Sequence, residues 1–164
     1  MTMSVAQAEE MRLDWVPHEL ARPAEPDIIG HHDLAPWNIV FEGNEVVGII
    51  DWDAAGPSTR VWDLAYAAYQ FVPFHPAEDL AAWGWADGVD RRRRLDILLD
   101  EYGLSISREE LVNAAVLRIA SMGAYIAQQV ERRNPMFDVH AREGHAAGYY
   151  KAVGELARMR EELI

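Results

Sequence analysis

The clearest hydrophobic pattern in the chain is a pair of short apolar runs, residues 39–41 and 46–50, on either side of Gly43-Asn44. Apolar runs of this length that flank a two-residue turn are typical of the strands of a β-hairpin. The pattern therefore predicts a hairpin that closes at Gly43-Asn44.

The turn also predicts a register for the two strands. If Glu42 pairs with Glu45, then Asn38 lies opposite Ile49. Side chains of a strand alternate between its two faces, so Asn38, Ile49 and Asp51 are expected to share one face.

Behind the hairpin, apolar residues recur with the spacing of helices. Residues 61–74 are apolar almost all the way round, which predicts a helix in the centre of the domain. Shorter helices are predicted near 77–83 and over 89–102, and Ser107-x-x-Glu110 is a capping box that opens a longer one. The buried stripe of that long helix is predicted at Val112, Val116, Ile119, Gly123, Ile126 and Val130, and that of a final helix at Tyr149, Ala152, Leu156, Met159 and Leu163.

The first 27 residues follow a different pattern. An amphipathic run over residues 5–15 predicts a short helix, and three prolines then predict an extended linker into the strand-like Ile28-Ile29. We therefore divide the chain into an N-terminal helix with a Pro-rich linker, residues 1–27, and one domain, residues 28–164.

Composition narrows the class of protein. Half of the 164 residues are apolar, so a substantial core is expected, and the absence of Cys excludes disulfides and thiolate chemistry. We found no apolar run near membrane-spanning length and no signal peptide at Met1, so we expect a cytoplasmic protein without a membrane partner. A net charge of −12 disfavours nucleic acid and favours cationic small molecules. In so acidic a chain, the basic run Arg91–Arg94 is expected to be a solvated helix face.

A polar loop, His31-x-Asp33-x4-Asn38, directly precedes the hairpin. The predicted register brings Asn38 and Asp51 together, with Asp33 beside them, and oxygen ligands of this kind suit a hard divalent cation. The alternative is a hydrolase metal site built on His31, His32 and Asp33, but the other histidines lack ligand spacing.

The order and spacing of these residues resemble the aminoglycoside phosphotransferase family, whose members are relatives of the protein kinases. The resemblance rests on the loop, on Ile50–Asp53 at the end of the hairpin, on Gly56 and on Trp62–Ala65. It implies an α+β, mostly α fold: a kinase-like C-terminal helical lobe with a small β-hairpin that carries the catalytic loop and the metal site.

The resemblance also implies roles for the loop residues. Asp33 becomes the catalytic carboxylate beside an attacking hydroxyl, and Asn38 and Asp51 become ligands of Mg²⁺, which binds with ATP or GTP. Phosphoryl transfer depends on positioning and electrostatic stabilisation, which these groups supply. The loop departs from the family at His32, where Gly is frequent. A residue other than Gly restricts the backbone conformations that are open to the loop, but this departure affects no ligand.

Three further residues receive roles from the resemblance. Val40 and Ile50 are expected to help form the floor of the adenine pocket, and Asp63 to brace the loop through backbone N–H groups. We interpret His31 as a structural residue that holds the loop rather than as an acid or base, and we expect Asp53 to lie just behind the metal ligands or on the surface.

A complete family member begins with a small β-lobe that carries a phosphate-binding Lys, whereas this chain has no Lys before Lys151. We therefore expect the C-terminal lobe alone, with the catalytic loop and hairpin in residues 28–57 and a helical subdomain in 58–164. The lobe that is missing would come from a partner chain, or the uncovered site would favour self-association.

Three readings of function follow. The chain is a kinase that acts on a hydroxyl of a small molecule, a non-catalytic binding or regulatory module, or a truncated lobe that needs a separate N-lobe. For the first reading, Glu131, Asp138 and Glu143 are candidates to bind an amino group of the substrate, with a solvated surface as the alternative for each.

Overall fold

The computed structural model describes residues 3–4 and 25–164, and most of them are helical. The helix predicted over residues 5–15 lies outside this part of the chain. Five short strands come first: β1 (Met3–Ser4), β2 (Ile28–Gly30), β3 (Ile39–Glu42), β4 (Glu45–Ile49) and β5 (Gly56–Ser58). The α-helices follow: α1 (Arg60–Phe71), α2 (Ala77–Ala82), α3 (Arg91–Tyr102), α4 (Arg108–Glu131), α5 (Asp138–Arg142) and α6 (His145–Leu163).

Strand β2, at the predicted Ile28-Ile29, is the centre of an antiparallel sheet with the order β1-β2-β5. Gly30 ends β2 directly against α1. A Cβ at this position would lie 2.8 Å from Cβ of Ser58 and 2.9 Å from the carboxyl group of Asp63. Only glycine leaves room for this close approach between the strand and the helix.

Strands β3 and β4 form the predicted hairpin, with Glu42 opposite Glu45 and the turn at Gly43-Asn44. The pairing then shifts by one residue, because Phe41 faces Val46 whereas Val40 faces Gly48. The extra residue, Val47, forms a β-bulge.

The bulge makes the predicted register wrong at the far end of the hairpin. The backbone N–H of Ile50, not of Ile49, donates to the carbonyl of Asn38, at 3.0 Å. The prediction that Asn38, Ile49 and Asp51 share a face by simple alternation therefore fails, since one inserted residue reverses the alternation.

The core lies among α1, α4 and α6, and α4 packs along both of the other helices. The predicted signals at the helix ends are present: Ser107 Oγ accepts the N–H of Glu110 at 3.1 Å, and Gly103 ends α3 in the left-handed conformation with φ 73°. The central helix predicted over 61–74 ends three residues earlier, at Phe71.

The arginines of α3 also cap α1. Arg91 donates to the carbonyls of Pro73 and His75, both at 2.9 Å, and Arg94 donates to the carbonyl of Phe71 at 2.8 Å. The prediction of a solvated face is therefore wrong for Arg91, which is only partly exposed, and incomplete for Arg94. Carbonyls just after a helix lack intrahelical donors, and these guanidinium groups supply them.

Helix α4 has the length and the apolar composition of a membrane-spanning segment, contrary to our expectation for this chain. The core helix of a soluble protein meets the same criterion, so the match is weak evidence for a membrane. In the structure α4 packs against α1 and α6.

Candidate active site

The loop that carries the candidate chemistry, residues 31–38, connects β2 to β3. It begins with the buried residues His31 and His32, and it ends in a short 3₁₀ turn, Pro36–Asn38, with Asn38 buried. Asp33 lies between these anchors and is partly exposed. The backbone of the loop is therefore fixed at both ends, while the carboxyl group remains accessible.

Asn38 orients Asp33. Its Nδ2 donates to the backbone carbonyl of Asp33 at 2.8 Å and to Oδ2 of Asp33 at 3.1 Å. Burial raises the pKa of the Asp33 carboxyl, against the opposite effect of hydrogen bonds from Tyr66 and Asn38. Because Nδ2 faces Asp33, Oδ1 is the atom of the Asn38 amide that can bind a cation.

His31 joins the loop to the end of the hairpin. Its Nδ1 accepts the backbone N–H of Asp33 at 3.2 Å, so Nε2 carries the proton and donates to the carbonyl of Ile50 at 2.9 Å. The ring also contacts that of Trp52, with centroids 4.6 Å apart. A loop-holding role for His31 would use these contacts, and that role stays a prediction.

Asp51 directly follows this junction and adopts a left-handed conformation, with φ 63°. Its side chain is exposed, and its charge acts to raise the pKa of Asp33. Asp53 is exposed in the following 3₁₀ turn.

The donors around Asp33 fit Mg²⁺ in kind, since this ion takes one or two carboxylates and completes its shell with phosphate oxygens and water. Asn38 and Asp51 are the candidates, through the amide Oδ1 and a carboxylate oxygen, and their backbones are tied by the bond between Ile50 and Asn38. Among the residues that the structure describes, no group of three or more His, Cys, Asp or Glu could hold a metal ion. A metal here would depend on the nucleotide for its remaining ligands.

Asp63, at the start of α1, has the contact that the sequence suggested. Its Oδ1 accepts the backbone N–H of His32 at 2.8 Å. Burial raises the pKa of the Asp63 carboxyl, and hydrogen bonds from the N–H groups of His32 and His31 oppose that rise. His32 itself adopts φ 64°, so the loop takes the left-handed conformation even without glycine.

Three residues near the loop received no functional role in the sequence analysis: Arg118, Tyr66 and Tyr149. Arg118 of α4 is fully buried, and its Nη2 donates to the carbonyl of His32 at 2.6 Å. The hydroxyl of Tyr66 lies 3.3 Å from that of Tyr149 and accepts from Gln70 at 3.1 Å. For Arg118 the available signal was a charged residue directly before Ile119, beside the predicted buried stripe of its helix.

Both candidate adenine-floor residues are exposed, Val40 at 39% and Ile50 at 50%. They belong to a set of exposed apolar residues in and directly beside the two-stranded sheet, which we call the hairpin patch: Val40, Phe41, Val46, Val47, Ile49 and Ile50.

The three acidic substrate candidates, Glu131, Asp138 and Glu143, are exposed near the junction of α4, α5 and α6. Oε2 of Glu143 lies 2.9 Å from Nε2 of His145, at hydrogen-bond distance. Their contact with a substrate stays a prediction.

Comparison with known proteins agrees with the resemblance. The model of the phosphotransferase enzyme family matches residues 4–98. The trifolitoxin immunity protein of Rhizobium leguminosarum bv. trifolii is 35% identical over 92 residues, which cover 56% of this chain and 34% of that protein. Homoserine kinase of Zymomonas mobilis subsp. mobilis is 44% identical over 48 residues, 28% of this chain and 15% of that enzyme. The chain thus spans about a third or less of either relative, and no solved structure matches it.

Proposed function

Because the chain belongs to the phosphotransferase enzyme family, we propose that it transfers the terminal phosphoryl group of ATP or GTP to a hydroxyl group of a small molecule. The observation that supports this proposal is that Asn38 binds Asp33 on one side and is tied on the other to Ile50, the neighbour of Asp51. Their carboxylate and amide oxygens match what phosphoryl transfer requires.

In this proposal Asp33 accepts the proton of the attacking hydroxyl. The hydroxyl oxygen bonds to the terminal phosphorus, the bond from phosphorus to the bridging oxygen breaks, and the nucleoside diphosphate leaves. The raised pKa of the partly buried Asp33 favours its action as a base. Mg²⁺, when held by Asn38 and Asp51, would neutralise charge on the phosphate oxygens.

We further propose that the acceptor is cationic and that the protein acts in the cytoplasm. The net charge of −12 favours a cationic ligand. The relative named homoserine kinase supports an acceptor with both a hydroxyl and an amino group. Glu131, Asp138 and Glu143 are the proposed partners of the amino group.

The second candidate is a binding module, or a lobe that functions with a separate N-lobe. The relative that matches more of the chain is named an immunity protein, not a kinase. The only lysine of the sequence, Lys151, pairs with Glu78 at 2.9 Å and Asp79 at 3.3 Å, so it is engaged away from the loop. The exposed hairpin patch would suit a covering lobe or a second copy.

The test is nucleotide consumption by the purified chain over a panel of amino sugars, amino alcohols and nucleosides, alone and with a small-lobe polypeptide. We expect weak turnover by the chain alone, because it has no Lys before Lys151 that could match the phosphate-binding Lys of the family. Loss of even one preorganised electrostatic contact commonly costs on the order of 10² to 10³ in rate. Titration calorimetry with Mg²⁺ and ADP should show binding that Asp51→Ala removes.

The outcomes separate the candidates. Acceptor-dependent turnover that Asp33→Asn abolishes supports the kinase, and robust turnover without any second lobe would refute the need for one. Metal-dependent nucleotide binding without turnover supports the binding module. An isotherm that Asp51→Ala leaves unchanged would remove the metal assignment.

A further inference from the structure

The most unusual group in the described part of the chain is the guanidinium of Arg118. It is fully buried in α4, and two of its nitrogens, Nε and Nη1, have no hydrogen-bond partner among the described residues. Its surroundings are aromatic: the guanidinium lies 5.1 Å from the ring centroid of Tyr66 and 5.7 Å from that of Trp62. A buried ion with so few partners is expensive, and an apolar side chain of similar size would generally stabilise the fold more.

Within the described part of the chain, Arg118 makes one hydrogen bond, and it is to the candidate loop. Nη2 donates to the carbonyl of His32 at 2.6 Å. This carbonyl belongs to the peptide group that joins His32 to Asp33, and the N–H of the same group donates to Nδ1 of His31. Arg118 and His31 therefore fix the plane of the peptide that leads into Asp33.

The preceding peptide group is fixed from another helix. The N–H of His32 donates to Asp63 at the start of α1. His32 thus has its N–H bound by α1 and its carbonyl bound by α4. Its φ of 64° is unfavourable for a residue other than glycine, and such conformations persist where the surroundings enforce them.

We propose that Arg118 is a positioning residue that holds the His32–Asp33 peptide, and through it the Asp33 carboxylate, in the geometry needed for phosphoryl transfer. The assignment rests on the proposed function, since it gives Arg118 a purpose only if Asp33 acts in catalysis. The proposal also explains why a cation is buried behind the loop. The positive charge of Arg118 interacts favourably with the carboxylates of Asp33 and Asp63.

Arg91 offers a matched control. Like Arg118, it is a helical arginine whose guanidinium donates to backbone carbonyls. Its two acceptors, however, belong to the segment after α1 and not to the candidate loop. Arg118→Lys and Arg91→Lys each keep the charge and remove the planar fork of donors. Both substitutions are expected to lower stability, so stability alone does not test the proposal.

The deciding measurement is amide hydrogen exchange of the full chain, with the His32 and Asp33 amides compared with amides in α6. In Arg118→Lys we expect the two loop amides to exchange at least about tenfold faster relative to α6, and in Arg91→Lys we expect them to stay within about twofold. Mg²⁺·ADP affinity should fall in parallel, by about tenfold in Arg118→Lys only. Equal effects of the two substitutions on the loop amides would overturn the proposal and leave Arg118 as a core residue.

If Arg118→Lys does not fold, the wild-type chain provides the test. In ¹⁵N spectra of the arginine side chains, we expect Mg²⁺·ADP to shift the Arg118 signals and to leave those of Arg91 in place. Loop amides that shift while Arg118 does not would refute the coupling. Should wild type bind no Mg²⁺·ADP, alone or with a small-lobe polypeptide, the proposed function fails, while hydrogen exchange in Arg118→Met against Arg91→Met still decides whether Arg118 holds the loop.

Discussion

Replacing Asp63 by alanine should destabilise the protein more than replacing Asp33, although Asp33 is the candidate catalytic group. Asp63→Ala removes the acceptor of the His32 N–H, a bond of 2.8 Å, and also the carboxylate toward which the His31 N–H donates. Both histidines are buried, so water does not readily replace the lost acceptor. An unsatisfied buried amide costs about 1–3 kcal/mol. Relief of the desolvated carboxylate offsets part of this, so we expect a net loss of about 1–2 kcal/mol, or about 2–8 °C in Tm.

Asp33→Ala should change the free energy of unfolding by less than about 1 kcal/mol. Burial raises the pKa of this carboxyl, so its ionised form does not favour the folded state, and Asn38 keeps its bond to the Asp33 carbonyl at 2.8 Å. Urea unfolding followed by tryptophan fluorescence and circular dichroism, with m-values compared among variants, measures both effects. Asp63→Asn, which keeps an acceptor, should fall between them. A larger loss in Asp33→Ala than in Asp63→Ala would show that the structural and catalytic roles are reversed.

Two further predictions concern packing and protonation. Gly30→Ala should lower the free energy of unfolding by about 1–3 kcal/mol, because the new Cβ would meet Ser58 and Asp63. Gly154→Ala has open space around the new Cβ, so it should be neutral or stabilise the protein by up to about 1 kcal/mol. Equal urea midpoints for the two variants would contradict this prediction. Burial lowers the pKa of His75 to about 3 in the folded chain, against about 6.5 in the unfolded chain. Between these two pH values the unfolded chain binds more protons than the folded chain. The free energy of unfolding should therefore fall by up to about 1.4 kcal/mol per pH unit as the pH drops from 6.5 towards 3. His75→Gln should flatten this slope, and an unaltered slope would mean that another group is responsible.

Local signals in the sequence were sufficient where a feature depends on neighbouring residues. The turn at Gly43-Asn44, the cap at Ser107 and the end of α3 at Gly103 were predicted because each follows from the chemistry of a few consecutive residues. The contact of Asp63 with the loop was suggested by the family resemblance and not by its position alone.

Features that depend on distant contacts were missed. The bulge at Val47 has no local signal, because Val46, Val47 and Ile49 are apolar in either register. Arg91 was assigned to a solvated face, since the sequence does not reveal that carbonyls after α1 need donors. Arg118 was missed for the same reason: its importance lies in a bond to a residue 86 positions away.

That separation of 86 positions has a consequence for how the chain is made. During synthesis the loop emerges long before α4, so His32 cannot be held in its final conformation until the ribosome has released the helix that contains Arg118. Contacts between distant segments are also established late in refolding, because closing a long loop costs entropy. We therefore expect nascent chains that end before α4 to have an unformed loop, and the active geometry to appear only with the final docking of the helices.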